Sequence, residues 1–197
     1  MDTIIEQSCP SCSDPSSVKM SVNTHEIPYF GEHTELTLSC SKCGWKITDF
    51  IAGEAKIPSI WTISVSPQTA DARVVRSSSG TVRIKELDIE VEPGISSDGY
   101  VTNVEGVINR LVGVIQMLRR QAHDDSDQLA FDSCDEYIQR LTGSVNGTSE
   151  ELTLAVLDPL GHSMILHETA IREDLESSDL ENLSLGPSIP VFDASDF

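Results

Sequence analysis

Four of the chain's five cysteines stand in two close pairs, Cys9-Pro-Ser-Cys12 and Cys40-Ser-Lys-Cys43. Two residues between cysteines let a tight knuckle aim both sulfurs at one point. Two such pairs supply four soft thiolates to a tetrahedral ion. The chemistry this serves is metal binding, and Zn²⁺ at about 2.3 Å from each sulfur suits it best. Iron in the same site and free thiols are the competing readings. Four protein ligands leave no open position for water or substrate, so the expectation is one structural zinc. Gly44, directly after Cys43, suits the second knuckle, where the backbone must fold back under the ion. The remaining cysteine, Cys134, falls on the apolar face of a predicted helix and reads as a small buried hydrophobe.

The residues between the pairs must position the sulfurs. Val18, Met20 and Val22 alternate with Lys19, Ser21 and Asn23, and Leu36 and Leu38 alternate with Glu35, Thr37 and Ser39. Period two predicts two strands, each with one buried face. Two strands pinned at the base by four cysteines make a zinc ribbon. The tip between them reads HEIPYFGE, with Ile27, Pro28, Tyr29 and Phe30 in a row. Hairpin tips are usually polar or rich in Gly, Asn and Asp. Two readings of this tip stand: it packs on another part of the chain, or it meets a partner.

Beyond the ribbon, Ile60–Val65 reads as a strand, and Val82 and Ile84 lead into a run of Leu87, Ile89 and Val91 that Pro93-Gly94 stops. Arg73–Gly80 links these strands, and its serines suggest a tight turn. The period then changes. Val104, Val107, Ile108, Leu111, Ile115 and Leu118 follow helical spacing. Thr102 and Glu105 suggest a capping box, and Arg119 and Arg120 suit a last turn. A second helix carries Ala130, Cys134, Tyr137, Ile138 and Leu141 on one face, with Gly143 as its stop. Strands resume at Leu152–Val156. Asp158-Pro159-Leu160-Gly161 has type I turn chemistry, with Met164–Leu166 as the return strand. From Glu173 onward there are seven acidic residues and no Lys or Arg, which predicts a mostly disordered tail in which Ile189-Pro190-Val191-Phe192 is available for local docking. The stretch from Asp2 to Ser8 is also expected to be mobile.

The composition narrows the function. With 32 acidic and 13 basic residues the net charge is -19, so a polyanion is repelled over most of the surface. A protein partner or a small ligand is the expected target. MDTIIEQS has no basic n-region, and no run approaches the roughly 20 apolar residues of a membrane span. The expectation is a cytoplasmic protein that does not enter a membrane. No nucleophile triad, Walker loop or dinucleotide fingerprint is present, so no enzymatic activity is expected. SSSG at 77–80 is too weak a signal for a phosphate loop. His25 and His33, and His162 and His167, lack the further ligands that would complete a second metal site. Arg73, Arg76, Arg83 and Lys85 form a basic island, read either as paired within the chain or as a dock for an acidic partner surface.

Taken together, IPYFGE between the cysteine pairs, RVVRSSSGTVRIKELDIEVEPG at 73–94, TNVEG at 102–106 and LDPLGHS at 157–163 resemble the ZPR-type zinc-finger proteins. The likeness runs from about residue 9 to 170, and the chain is similar to the single-module archaeal form. It departs from the family pattern at Lys85 and His162. The resemblance implies a mainly β fold with a helical hairpin: a zinc ribbon at 1–50, then a small double-stranded β-helix, jelly-roll-like, at 51–172, carrying the hairpin at about 102–143, then the acidic tail at 173–197. It also implies binding of translation elongation factor 1-alpha, a GTPase, which eukaryotic members help to fold as chaperones. The expected partner contacts are Ile27, Pro28, Tyr29, Phe30, Glu32, Arg73 and Arg76. The alternative function is a nucleic-acid-binding ribbon in transcription or translation, with Lys42 and Lys46 on phosphate.

Overall fold

The structure is a computed structural model that describes residues 2–5, 7–53, 56–94 and 97–185. They fall into two compact units, one ending at Ala55 and the other starting at Lys56. In the first unit β1 (Asp2–Ile4), β2 (Val18–Ile27), β3 (Gly31–Cys40) and β4 (Lys46–Ala52) form one antiparallel sheet in that order. The register sets Val18 opposite Cys40, Met20 opposite Leu38 and Val22 opposite Leu36. Directly opposed residues share a face, so the alternation seen in the sequence does lie along one side of the hairpin.

Two strands of this sheet were not anticipated. Asp2–Ile4 pairs with β2, and the Ile5 amide donates to the Val18 carbonyl at 3.1 Å, so this part of the segment expected to be mobile is a sheet edge. After the second knuckle the chain returns along β3, with Ile47 opposite Leu38. The ribbon therefore runs past residue 50, to Ala52. Its buried centre is Cys9, Val18 and Cys40, with Ile5, Cys12, Leu38 and Trp45 packed around them.

The second unit is a small jelly roll. A five-stranded sheet has the order β12 (Ile171–Asp174), β5 (Ser59–Val65), β10 (Leu152–Asp158), β7 (Thr81–Ile84), β8 (Ile89–Val91). A three-stranded sheet has the order β11 (Met164–Leu166), β6 (Arg73–Arg76), β9 (Tyr100–Asn103). All pairs are antiparallel. Strand β10 is paired on both sides, and Leu152, Leu154 and Val156 are fully buried. They belong to a core shared with Ile63, Val65, Val74, Ile84 and Ile165.

Several local expectations are corrected. Arg73–Arg76 is itself a strand, not a linker. The run Val82–Val91 is broken by a 3-10 turn at Lys85–Leu87 and by Asp88 at φ 52. β11 is not the hairpin partner of β10. It pairs with β6 in the other sheet, because the turn at 158–161 sends the chain across the sandwich. At the far end, β12 begins before residue 173 and continues through Asp174, and Ser177–Leu180 forms a one-turn helix, so the tail is ordered further than its acidity suggests. Ile189–Phe192 lies outside the described residues.

The two long helices, α1 (Val104–Asp124) and α2 (Gln128–Asn146), pack side by side as an antiparallel pair. Val104, Val107, Ile108, Leu111, Val112 and Ile115 of α1 enter the core, whereas Leu118 is half exposed. The N-cap of α1 is Asn103, not Thr102: its side chain accepts from the Gly106 amide at 2.8 Å. The next amides, Val104 and Glu105, donate to Ala72 and Ala70 carbonyls at 2.9 Å each, which settles the orphan donors of the first turn. Thr102 is held in β9 opposite Val74. α1 also runs past Arg119 and Arg120. Arg119 instead pairs with Asp135 of α2 and lies over the Phe131 ring at 4.5 Å. α2 continues through Gly143 and ends at Gly147, whose φ of 72 suits glycine. Cys134 packs half-buried against the core, as expected of a small hydrophobe.

Gly106 and Gly113 lie in the same helix in opposite environments. A β-carbon on Gly106 would meet Thr102 Oγ1 at 2.2 Å and Asn103 Oδ1 at 2.9 Å, whereas one on Gly113 meets nothing within 4 Å. Gly106→Ala is expected to cost about 1–3 kcal/mol through overpacking and a disturbed cap. Gly113→Ala is expected to stabilise by about 0.5–1 kcal/mol. Urea unfolding of the two variants checks the opposite signs; a Gly106→Ala chain as stable as the parent would refute the packing account.

Candidate functional site

The two cysteine knuckles are built alike. The Ser13 amide donates to the Cys9 carbonyl at 2.8 Å, and the Gly44 amide donates to the Cys40 carbonyl at 3.0 Å. Each closing residue has positive φ, 56 at Ser13 and 77 at Gly44. The fold-back that glycine permits in the second knuckle is thus made in the first by a serine, which the sequence does not advertise. The Cys40 amide in turn donates to the Trp45 carbonyl at 2.8 Å, which fixes the second knuckle to the start of β4.

All four sulfurs lie within 4.8 Å of one another. Cys9 and Cys43 are 3.7 Å apart at sulfur, and Cys12 and Cys40 are 3.8 Å apart. A tetrahedron with metal–sulfur bonds of about 2.3 Å has edges of about 3.8 Å. The spacing fits a four-thiolate zinc and is too wide for a disulfide of about 2.05 Å. The titration behaviour agrees. A hydrogen bond from the Ser17 hydroxyl, 3.0 Å from the Cys40 sulfur, holds the Cys40 thiol down to about 6 against burial. Cys12 is pushed up to about 12: a backbone hydrogen bond at Asp14 works the other way, but burial and the sulfurs of Cys43, Cys9 and Cys40 outweigh it. Four sulfurs this close share little negative charge until a dication joins them. Among the described residues no other group of three or more potential ligands converges. His25 bonds Glu35 at 2.9 Å, His33 bonds the Gly31 carbonyl at 3.2 Å, and His167 bonds Thr169 at 2.8 Å.

At the other end of the hairpin, Ile27 faces Gly31 and the Phe30 amide donates to the Ile27 carbonyl at 3.0 Å. Pro28 and Tyr29 are the turn's central residues, and Tyr29 has φ 72. Proline second and positive φ third is the type II pattern, which favours glycine or asparagine at the third place. Tyr29 is 40% exposed, and Phe30 stands edge-on to the His33 ring at 6.3 Å between centres. Glu32 is exposed on β3, and its carbonyl accepts from the Gly53 amide at 2.8 Å.

The basic island does not form one face. Arg73 is exposed, but Arg76 is buried. The Arg76 guanidinium donates to the Gly80 carbonyl at 2.7 Å, Ser97 Oγ at 2.8 Å and the Asp98 carbonyl at 3.3 Å. These bonds hold it inside the jelly roll, where it is buried. Arg83 pairs with Glu90 at 2.6 Å, and Lys42 pairs with Asp14.

Sequence reasoning missed a third feature. The Asp158 carboxylate is fully buried, yet five donors reach it. Ser77 Oγ and Ser163 Oγ donate to Oδ2 at 2.7 Å each, with the Ser163 amide at 2.6 Å. Ser79 Oγ and the Leu160 amide donate to Oδ1 at 2.7 and 2.9 Å. Burial alone raises such a carboxyl, but the bonds from Ser163, Ser79, Ser77 and Leu160 outweigh it and leave it below the ordinary carboxylate range. This network explains Ser77 and Ser79 of SSSG: they hold a carboxylate.

A four-sulfur ribbon followed by a jelly roll defines a zinc-finger protein of two-unit build. The ZPR1 zinc-finger domain matches residues 3–56, and the ZPR1 jelly-roll domain matches residues 68–183. The chain belongs to the ZPR1 family. It is 34% identical to a ZPR1-like protein of Methanocaldococcus jannaschii over 94% of this chain and 92% of that one. It is 34% identical to a ZPR1-like protein of Pyrococcus horikoshii over 93% of this chain and 82% of the other. Zinc finger protein ZPR1 of Bos taurus is 31% identical over 87% of this chain, which spans only 37% of the bovine protein. The zinc finger chaperone zpr1 of Schizosaccharomyces pombe is 26% identical over 82% of this chain and 34% of its own length.

Ser17→Ala removes the hydroxyl that orients and stabilises the Cys40 thiolate. Zinc affinity, read by competition with a chromogenic chelator, is expected to fall about tenfold, as for other losses of a ligand's supporting hydrogen bond. Unchanged affinity would deny that role. Asp158→Asn places an amide among five donors and is expected to cost about 3 kcal/mol in denaturant unfolding. The sign of the pH effect follows from its lowered value: the stabilisation is full above the ordinary carboxylate range and is lost as pH falls through the depressed one. The Asn variant should therefore lose part of the acid-side fall in stability; a parallel pH profile would rule this out.

Proposed function

We propose that this chain is a non-catalytic cytoplasmic protein, holding one structural zinc, that binds translation elongation factor 1-alpha through its ribbon tip. Tyr29 is the observation that carries the reading. A bulky side chain at positive φ costs about 1–2 kcal/mol relative to glycine. Glycine would serve the turn better, yet the turn presents an exposed aromatic between Pro28 and Phe30. Aromatic anchors bury large area with little loss of rotamer freedom, which suits a contact residue. The family resemblance points to elongation factor 1-alpha as the partner, and the closed sulfur shell supports a structural ion rather than chemistry. The Schizosaccharomyces pombe relative is named as a chaperone, and we extend that role to this chain as assistance to the same factor. Among the described residues no helix is long and apolar enough to cross a membrane, in keeping with a cytoplasmic location.

The nucleic-acid reading has less support. Lys42 is engaged by Asp14, and the net charge of -19 opposes a polyanion. Replacing both Tyr29 and Phe30 with Ala is expected to weaken binding to purified elongation factor 1-alpha at least about tenfold, with zinc content unchanged. Calorimetry with the GDP-bound and GTP-bound factor measures this. Equal affinity of the parent and the double variant would sink the tip as the anchor, and no binding by the parent would sink the partner.

A further inference from the structure

A groove of about 460 Å³ opens in the jelly roll, lined by residues of that unit alone. Its apolar lining is Val82 and Val91, opposed across β7 and β8, with Val107, Leu111 and Val114 of α1. The strip continues on α1 through Met117 and Leu118, three and four residues past Val114 and each about half exposed. From Val107 to Leu118 it runs about 17 Å along the helix. Contiguous exposed apolar surface of this kind marks a site that something covers. The strip is too long for a small metabolite and matches about five residues of extended chain.

Arg110 gives the chemistry of the occupant. It lines the groove, and its guanidinium lies 4.5 Å from the centre of the Tyr100 ring. Arg76 lies over the same ring at 5.6 Å. Burial holds Arg76 below its ordinary value, and repulsion from Arg110 adds to that, so the two cations feel each other. Arg76 is taken up by Gly80, Ser97 and Asp98. Among the described residues the Arg110 guanidinium makes neither an ion pair nor a hydrogen bond. Glu92, also in the lining, does not pair with it. With 32 acidic residues for 13 basic ones, an unpaired carboxylate is ordinary here and an unpaired guanidinium is not. Arg110 fits a carboxylate supplied by another molecule.

We propose that this groove takes a short segment of another protein, whose apolar residues lie along Val82, Val107, Leu111 and Val114 and whose Asp or Glu carboxylate meets Arg110. A phosphate-rich ligand does not suit the apolar walls, and a nucleic acid is repelled by the net charge of -19. The same net charge draws in partners that are basic overall, and one carboxylate within an apolar stretch does not offset that. No residue of the ribbon takes part.

Random-peptide display on the full zinc-loaded chain tests this, with each selected peptide remade and its affinity read by fluorescence anisotropy. Selected peptides are expected to set one Asp or Glu beside two or three apolar residues. Arg110→Glu and Val114→Asp, both at exposed positions, are each expected to weaken binding at least about tenfold, with the urea midpoint little changed. Pairing the Arg110→Glu chain with a peptide whose carboxylate is replaced by Lys is expected to regain most of the affinity, a rescue that a damaged fold would not give. Selection of no peptide, or of peptides that bind the Arg110→Glu chain as well as the parent, would overturn the proposal. So would octanoate competing as strongly as the peptide, which would make the groove a small-ligand site. A dimer in sedimentation that Val114→Asp abolishes would do the same, because the groove would then hold a second copy.

Discussion

The jelly roll depends on one buried carboxylate. Among the places where the chain changes sheet, it passes from the three-stranded to the five-stranded sheet between β6 and β7, and from the five-stranded to the three-stranded sheet between β10 and β11. Asp158 ends β10, and its oxygens gather Ser77 and Ser79 from the first crossing and Ser163 from the second. Burying a carboxylate without partners is prohibitive, and burying one with five donors is not. The geometry is reinforced by glycines that leave no room for alternatives. A β-carbon at Gly80 would meet Ser163 Oγ at 2.8 Å, and one at Gly161 would meet the Ile57 carbonyl at 2.2 Å. The two crossings are thus locked to each other, and the sheets on either side inherit their register.

The ribbon solves the opposite problem. Among the described residues its buried hydrophobic side chains are Cys9, Val18 and Cys40, two of them cysteines. Small units of this kind are commonly held by metal instead. The four sulfurs therefore act as the ribbon's core, and both knuckles, Val18 and Trp45 are arranged around them. Folding of the ribbon and metal binding are expected to be one process, whereas the jelly roll carries its own apolar core.

Legibility in the sequence followed the range of the interaction. The cysteine pairs, the alternation of Val18, Met20 and Val22 and the helical spacing of Val104 to Ile115 are local patterns, and each emerged in place. What failed depended on partners distant in sequence. β1 looks like a polar start until Met20 is opposite Thr3. The Asp-Pro-Leu-Gly turn has the local chemistry of a hairpin, and only the pairing of Met164 with Val75 reveals a crossing. Thr102 looked like a cap because nothing local says that it is held in a strand, with Asn103 left to cap Gly106. The serines at 77 and 79 had no meaning until Asp158, some eighty residues away, came within 2.7 Å. Arg76 looked like a surface charge because burial is invisible in a basic tetrad.

Charge and the tip complement each other on the proposed reading. A chain of net charge -19 repels nucleic acid and other acidic surfaces at a distance and draws in basic ones. Such steering raises encounter rates but falls with salt, and it discriminates poorly between one basic surface and another. Discrimination needs a short-range contact that costs something when unmatched. Tyr29, held at φ 72 and exposed, is such a contact: its conformational strain is present whether or not a partner is bound, and only a pocket that fits the ring returns burial in exchange. The acidity selects the kind of surface that approaches, and the aromatic tip selects which of them stays.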